Sequence, residues 1–429
     1  MDGLKAGVQA KHYYQLIEGL LLFRQTFDSP AGREFLSLLG GLIDGDVNQC
    51  LRGYGDWFRA LAARGETWRN HLLRQLAYAD NPFTQQAQVA DLASLPSRLV
   101  EAATRDLSQI QVICDLNSGQ VAEWVREVAQ LPDPPVAWDM DDPQPLPFQF
   151  QGETWSAELQ RLATHYQKHG VGRFAQYRAF TWQGGHLRGI PNPDSIRLDQ
   201  LTAYDYPRQQ LLQNTLALLK GYPALNVLLY GSRGAGKSSL VKALLTAFHD
   251  QGLRLVEVGK SKLADLPQIV DLLRTAPQKF IIFVDDLSFE EDDDAFKALK
   301  VVLEGSVTAR PANVVVYATS NRRHLVREFF SERPRPSDQD EVQAWDTMQE
   351  KLSFSDRFGL TLTFEAADQP TYLQIVEHLA KQAGIALPPE DVKARALQWA
   401  TRHNGRSGRS ARQFVDYLWA DLNLNGEEA

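Results

Sequence analysis

NVLLYGSRGAGKSSLVKALLTAF, residues 226–248, decides the fold. The apolar run ending at Tyr230 reads as a buried strand, and SLVKALLTAF repeats its apolar residues at helical spacing. Between them GSRGAGKS fits the pattern G-x-x-x-x-G-K-[ST], with the strand before it and the helix after it that this pattern requires. Gly231, Gly234 and Gly236 let the backbone curl, so that successive N–H groups across Ser232, Arg233 and Ala235 face an anion. The helix start at Ser238 and Ser239 adds partial positive charge to the same place. Lys237 then reaches the β- and γ-phosphates of a nucleotide, and the Ser238 hydroxyl is placed to ligate Mg2+.

A second stretch completes such a site. FIIFVDDLSFE, residues 280–290, is a strand-forming run that ends in Asp285 and Asp286. Asp285 is expected to hold Mg2+ through its water shell, and Asp286 to polarise an attacking water. Glu290, with a longer reach, is a rival base; it also opens a five-acid run that suits a solvated helix start.

Working outward, strands are expected at 226–230, 253–258, 280–284, 313–318 and 360–364, with helices at 238–251, 266–275 and 295–304. Short, unbroken apolar strands alternating with helices predict an α/β fold, a parallel five-stranded sheet covered on both faces. The core is expected over 196–367 and a helical lid over 368–429. Residues 1–130 predict an all-helical domain, since Leu16, Leu20, Phe23 and Phe27, and then Trp57, Leu61, Trp68, Leu72 and Leu76, recur at three-to-four spacing. Gly40-Gly41 and Asn81-Pro82 read as breaks in that pattern. LPDPPVAWDMDDPQPLPF, 131–148, carries six prolines and four aspartates, which predicts an extended linker over 131–150. A helix (155–168) and a Gly-rich aromatic connector fill 151–195.

Bulk properties narrow the classes. The formal net charge of −8 argues against a surface-wide attraction to nucleic acid. Two cysteines, Cys50 and Cys114, lack metal or redox spacing and fit a reducing, cytoplasmic compartment. The apolar run 20–23 is too short for a membrane span.

Taken together, IRLDQLTAYDYPRQQLL, GSRGAGKSSL, FIIFVDD, VYATSNRRHL, SDRFGL and GRSGRSARQF resemble the AAA+ P-loop ATPases, from about residue 196 to the end. More narrowly they resemble a bacterial AAA+-type family known only as a domain of unknown function. The resemblance implies ATP and Mg2+ as ligands and ATP hydrolysis as the activity. It implies that Leu201 and Tyr204 line the adenine pocket, with Ala203 where a glycine is usual. It places Asn321 at the water, and Arg357 as a finger inserted into a neighbouring subunit's site, hence a homo-oligomer. Either Arg409 or Arg412 is implied as the lid's phosphate sensor.

Two departures matter. Asp286 stands where such sites carry Glu. GKSKLADLP, 259–267, lacks the aromatic grip of peptide-threading rings and offers Lys260 and Lys262 instead. The expected function is an oligomeric ATPase that remodels a protein partner held by the N-terminal helical domain. The alternative is an ATP-gated switch or adaptor that turns over slowly or not at all. A nucleic-acid partner would use Lys260, Lys262 and Arg322-Arg323-His324. A small-molecule kinase is disfavoured, because the arginine motif lies at the fifth strand and the helical lid is C-terminal.

Overall fold

Phe280 to Val284 are completely buried, as an apolar run without a polar break demands of a central strand. They form one of seven strands: β1 (Ala179–Gln183), β2 (His186–Ile190), β3 (Val227–Gly231), β4 (Leu253–Glu257), β5 (Lys279–Val284), β6 (Val314–Ser320) and β7 (Leu360–Phe364). The computed structural model describes residues 3–139, 145–287, 294–304, 311–321, 357–403 and 405–425. The sheet order is β2-β1-β4-β5-β6-β3-β7, and the five expected strands all run parallel. That order puts β6 between β3, which leads into the glycine-rich loop, and the acid-bearing β5.

Register does the positioning. Val284 pairs with Ala318, so Asp285 emerges beside Thr319. Tyr230 pairs with Ser320, so the glycine-rich loop emerges beside Asn321. Helices Lys237–Phe248, Leu266–Arg274 and Asp294–Glu304 follow their strands as expected. Three C-terminal helices, Gln369–Gln382, Pro389–Arg402 and Gly408–Asn425, close around their own core of Tyr372, Val376, Ala396 and Phe414.

The sheet has two more strands than expected. Part of the supposed connector, 179–190, is a hairpin whose Gln183 pairs with His186 across Gly184 and Gly185. Both glycines have positive φ (60° and 78°), the backbone that a two-residue hairpin turn requires. β1 then joins β4 in parallel.

The chain divides into two units, Met1–Gln176 and Tyr177–Ala429. The first is helical, with a core of Phe27, Phe35, Trp57 and Trp68 in mutual ring contact. The run 20–23 is a turn there, because the buried Asp106 carboxylate accepts the N–H groups of Leu21, Leu22 and Phe23. Asn81 caps the helix Pro82–Ala87, as Asn-Pro suggested.

One expectation fails in this unit. Gly40 and Gly41 do not break the chain but lie inside the helix Pro30–Asp44; a Cβ on Gly41 would meet the Cys50 backbone at 2.9 Å, so the glycine serves a close helix crossing. The described residues of 131–150, expected as an extended linker, are tethered to this unit. In the described part of that segment, Trp138 donates to the Glu66 carbonyl at 3.0 Å, Tyr54 donates to the Val136 carbonyl at 2.8 Å, and Phe148 is buried in the helical core. Proline kept the segment extended, and its aromatic residues strap it down. Among the described residues no helix is long and apolar enough to cross a membrane.

Candidate functional site

The loop after β3 takes its shape from three glycines with φ of 134° (Gly231), 74° (Gly234) and 86° (Gly236). Gly231 has a second duty. A Cβ there would sit 1.9 Å from the Phe364 carbonyl, which instead accepts the Ser232 N–H at 2.9 Å. The glycine is what lets β7 lie against the root of the loop. Lys237 is buried, and its Nζ donates to the Gly231 and Ser232 carbonyls, both at 2.8 Å, and to Asn321 Oδ1 at 3.4 Å. Burial lowers its pKa, against the opposing pull of Asp285 and Asp286.

The two acids are held differently. Asp285 Oδ1 accepts from the Ser238 hydroxyl at 2.6 Å and from the Thr319 hydroxyl at 2.5 Å. Asp286 has a left-handed backbone, φ 51°, which a short polar side chain tolerates better than most. That twist turns the Asp286 N–H onto Thr319 Oγ1 (2.9 Å) and the Leu287 N–H onto the Thr319 carbonyl (2.7 Å). The Asp286 carboxylate accepts from Asn321 Nδ2 at 2.7 Å. A hydrogen-bonded chain thus runs from Asp285 through Thr319, Asp286 and Asn321 to Lys237.

Ser238 and Asp285 give two hard oxygen ligands side by side, which suits Mg2+, an ion that keeps most of its waters and takes phosphate oxygens with it. Among the described residues no group of three or more His, Cys, Asp or Glu forms a ready-made metal cage.

These residues line one cleft of about 990 Å³. Arg233, Gly234, Ala235, Gly236, Lys237, Ser238 and Ser239 line it, with Asp285, Asp286 and Asn321. Leu201, Ala203 and Tyr204 also line it, as do Arg409 and Arg412 of the C-terminal helix Gly408–Asn425. Gly231 and Ser232 are not among the residues lining the cleft. Ala203 and Tyr204 are both left-handed (φ 67° and 57°), so Ala203 does occupy a position that glycine would fill with less strain. Tyr204 holds that turn by donating to the Glu365 carbonyl at 2.8 Å and packing its ring on Phe364.

The lid meets the loop directly. The Arg409 N–H donates to the Gly234 carbonyl at 3.3 Å, and a Cβ on Gly408 would meet that carbonyl at 2.8 Å. Gly408 was not singled out from sequence, and neither was Thr319. Thr319 was findable: in a strand, alternate residues share a face, which puts it on the side of Asn321. Arg357, half-buried, leads into β7 and is not among the residues lining the cleft of its own chain. Glu290, Asp356 and Arg322-Arg323-His324 lie outside the described residues. Lys260 and Lys262 sit exposed on the short helix Lys260–Asp265.

Comparison with curated proteins returned no match. Among solved structures, the Thermotoga maritima RuvB Holliday junction branch migration motor is similar at 14% identity and a TM-score of 0.37, covering 53% of this chain and 66% of that chain. A point mutant of the same protein gives 14% identity, a TM-score of 0.39, and 53% and 67% coverage. The family model described as "Protein of unknown function (DUF815)" matches residues 175–422. That match takes in the whole sheet, the glycine-rich loop and most of the lid, more than half of the sequence, and the chain belongs to this family.

Proposed function

We propose that the cleft binds ATP with Mg2+ and hydrolyses it, slowly, within an assembly of identical subunits. The observation that carries this reading is the hydrogen-bonded chain Asp285–Thr319–Asp286–Asn321–Lys237 at the mouth of the loop. It brings a metal-side acid, a base, a water-placing amide and a phosphate-binding cation together from beyond the ends of three strands, β5, β6 and β3. Loop N–H groups and Lys237 hold the phosphates, while Leu201 and Tyr204 hold the base. Asp286 takes the proton of the attacking water, which Asn321 orients. Bound Mg2+ would neutralise phosphate charge from its place on Ser238 and Asp285. Arg409 or Arg412 reads the phosphates from the lid, and Arg357 completes the site of a neighbouring copy. The helical unit holds the protein partner that turnover remodels; a net charge of −8 favours protein over nucleic acid in that role.

A second reading, an ATP-gated switch with little turnover, is favoured by one feature. The Asp286 carboxylate is one methylene shorter than the usual Glu and is already held by Asn321. Phosphate release with Mg-ATP, measured beside gel filtration with and without ATP, separates the two. Turnover with self-association supports the ATPase; ATP-dependent association without phosphate release supports the switch. Arg357→Ala should lower turnover and leave ATP binding intact, and parental turnover in that variant would end the assembly argument.

A further inference from the structure

We infer that Thr319 is a positioning residue for both acids, and the reason this site works with Asp where longer Glu is usual. The inference rests on the ATP reading above and deepens it. Thr319 is buried at the end of a strand whose preceding residues, Val314 to Ala318, are buried hydrophobics. Its hydroxyl has one donor and two acceptor sites, and it uses both kinds. It donates to Asp285 Oδ1 at 2.5 Å and accepts the Asp286 N–H at 2.9 Å. The first bond fixes the carboxylate that, with Ser238, forms the metal side of the cleft. The second fixes the backbone of the base.

That second bond matters because of length. An Asp carboxylate is two torsions from its Cα, so its position follows the backbone closely; a Glu has a third torsion to absorb an error. Asp286 is left-handed, φ 51°; its N–H donates to Thr319 Oγ1 at 2.9 Å and more weakly to Asp285 Oδ1 at 3.2 Å, and the Leu287 N–H donates to the Thr319 carbonyl. The same residue therefore sets the twist that aims Asp286 at Asn321. A bland reading, Thr319 as a strand former only, predicts that valine would serve as well, since Val is equally branched and strand-favouring.

The test uses the full chain with Thr319→Val and Thr319→Ser, ATP as ligand and Mg2+ as the varied ion. Thr319→Val should bind ATP without Mg2+ within about twofold of the parent. It should need about tenfold more Mg2+ to reach its Mg2+-enhanced affinity, and lose about 10–100-fold in kcat. Thr319→Ser, which keeps the hydroxyl, should recover to within about threefold on both readouts. Thermal melting of each variant checks that it folds. In a double-mutant cycle the loss in kcat from Thr319→Val should shrink when Asp286→Glu is present. Parental Mg2+ dependence and kcat in Thr319→Val would overturn the inference, as would a Thr319→Ser variant as impaired as Thr319→Val. If the parent binds Mg-ATP without turnover, hydrolysis fails but the Mg2+ shift still reads Thr319. A parent that binds no ATP overturns both.

Discussion

Asp286→Asn separates the chemistry of the base from its geometry. Asparagine is among the residues that best tolerate a left-handed backbone, so φ 51° costs the variant nothing new. Its side-chain oxygen can still accept from Asn321 Nδ2, now 2.7 Å from the aspartate oxygen, and its N–H can still donate to Thr319. What is lost is the negative charge and the capacity to take a proton. General-base assistance contributes about 10²–10⁴-fold, or about 2.7–5.5 kcal/mol in the barrier. The charge lost also faced Lys237, whose pKa Asp286 helps to raise, and it would face a bound phosphate. Removing it should leave ATP affinity equal or higher. The assay is single-turnover phosphate release at saturating Mg-ATP, with binding measured separately by fluorescent-nucleotide displacement. The expected result is a rate at least about 10²-fold lower with binding preserved. A rate within threefold of the parent would refute the assignment, and Glu290 would become the residue to test.

Two further predictions address the frame around the site. Gly231→Ala must place a Cβ against the Phe364 carbonyl and hold alanine at φ 134°. Backbone strain of about 1–3 kcal/mol plus about 1 kcal/mol for the displaced Ser232–Phe364 bond should lower the melting temperature of this unit by about 10 °C; a shift under about 2 °C would mean that β7 is not seated on the loop root. In the helical unit, burial and then the neighbouring His169 lower the His165 pKa from 6.5 to about 4. The folded state therefore stays neutral while the unfolded chain takes up a proton, so this group's stabilisation is complete above pH 6.5 and lost as pH falls toward 4. Urea unfolding at pH 7 and pH 5 should show that slope, and His165→Leu should flatten it; an unchanged slope would assign the acid sensitivity to other groups.

Five strands of the second unit were legible because each is an unbroken apolar run between helical segments, and the loop was legible because its pattern is specific. The hairpin β1–β2 was missed although Gly184-Gly185 sits between paired Gln183 and His186, the spacing of a tight turn. The aromatic residues around it looked like connector composition. Gly40-Gly41 misled for the opposite reason: glycine marks both turns and close crossings, and only the Cys50 backbone beside Gly41 decides which. The strapping of 131–150 depends on Trp138 and Tyr54 finding distant carbonyls, a tertiary fact no local pattern states. At the site, residue types named the parts, but the left-handed twist at Asp286 and the double role of Thr319 follow from register between β5 and β6. Sequence alone could not supply that register.

The central proposal is that the cleft is a Mg-ATP site that works through Lys237. Isothermal titration of the full chain with Mg-ATP measures this directly, beside Lys237→Ala. The predicted result is one ATP bound per chain in the parent. In the variant, loss of charge-assisted bonds worth about 1.5–3 kcal/mol should weaken binding by about 10–100-fold. Equal affinity in the two proteins, or no Mg-ATP binding by the parent, would contradict it.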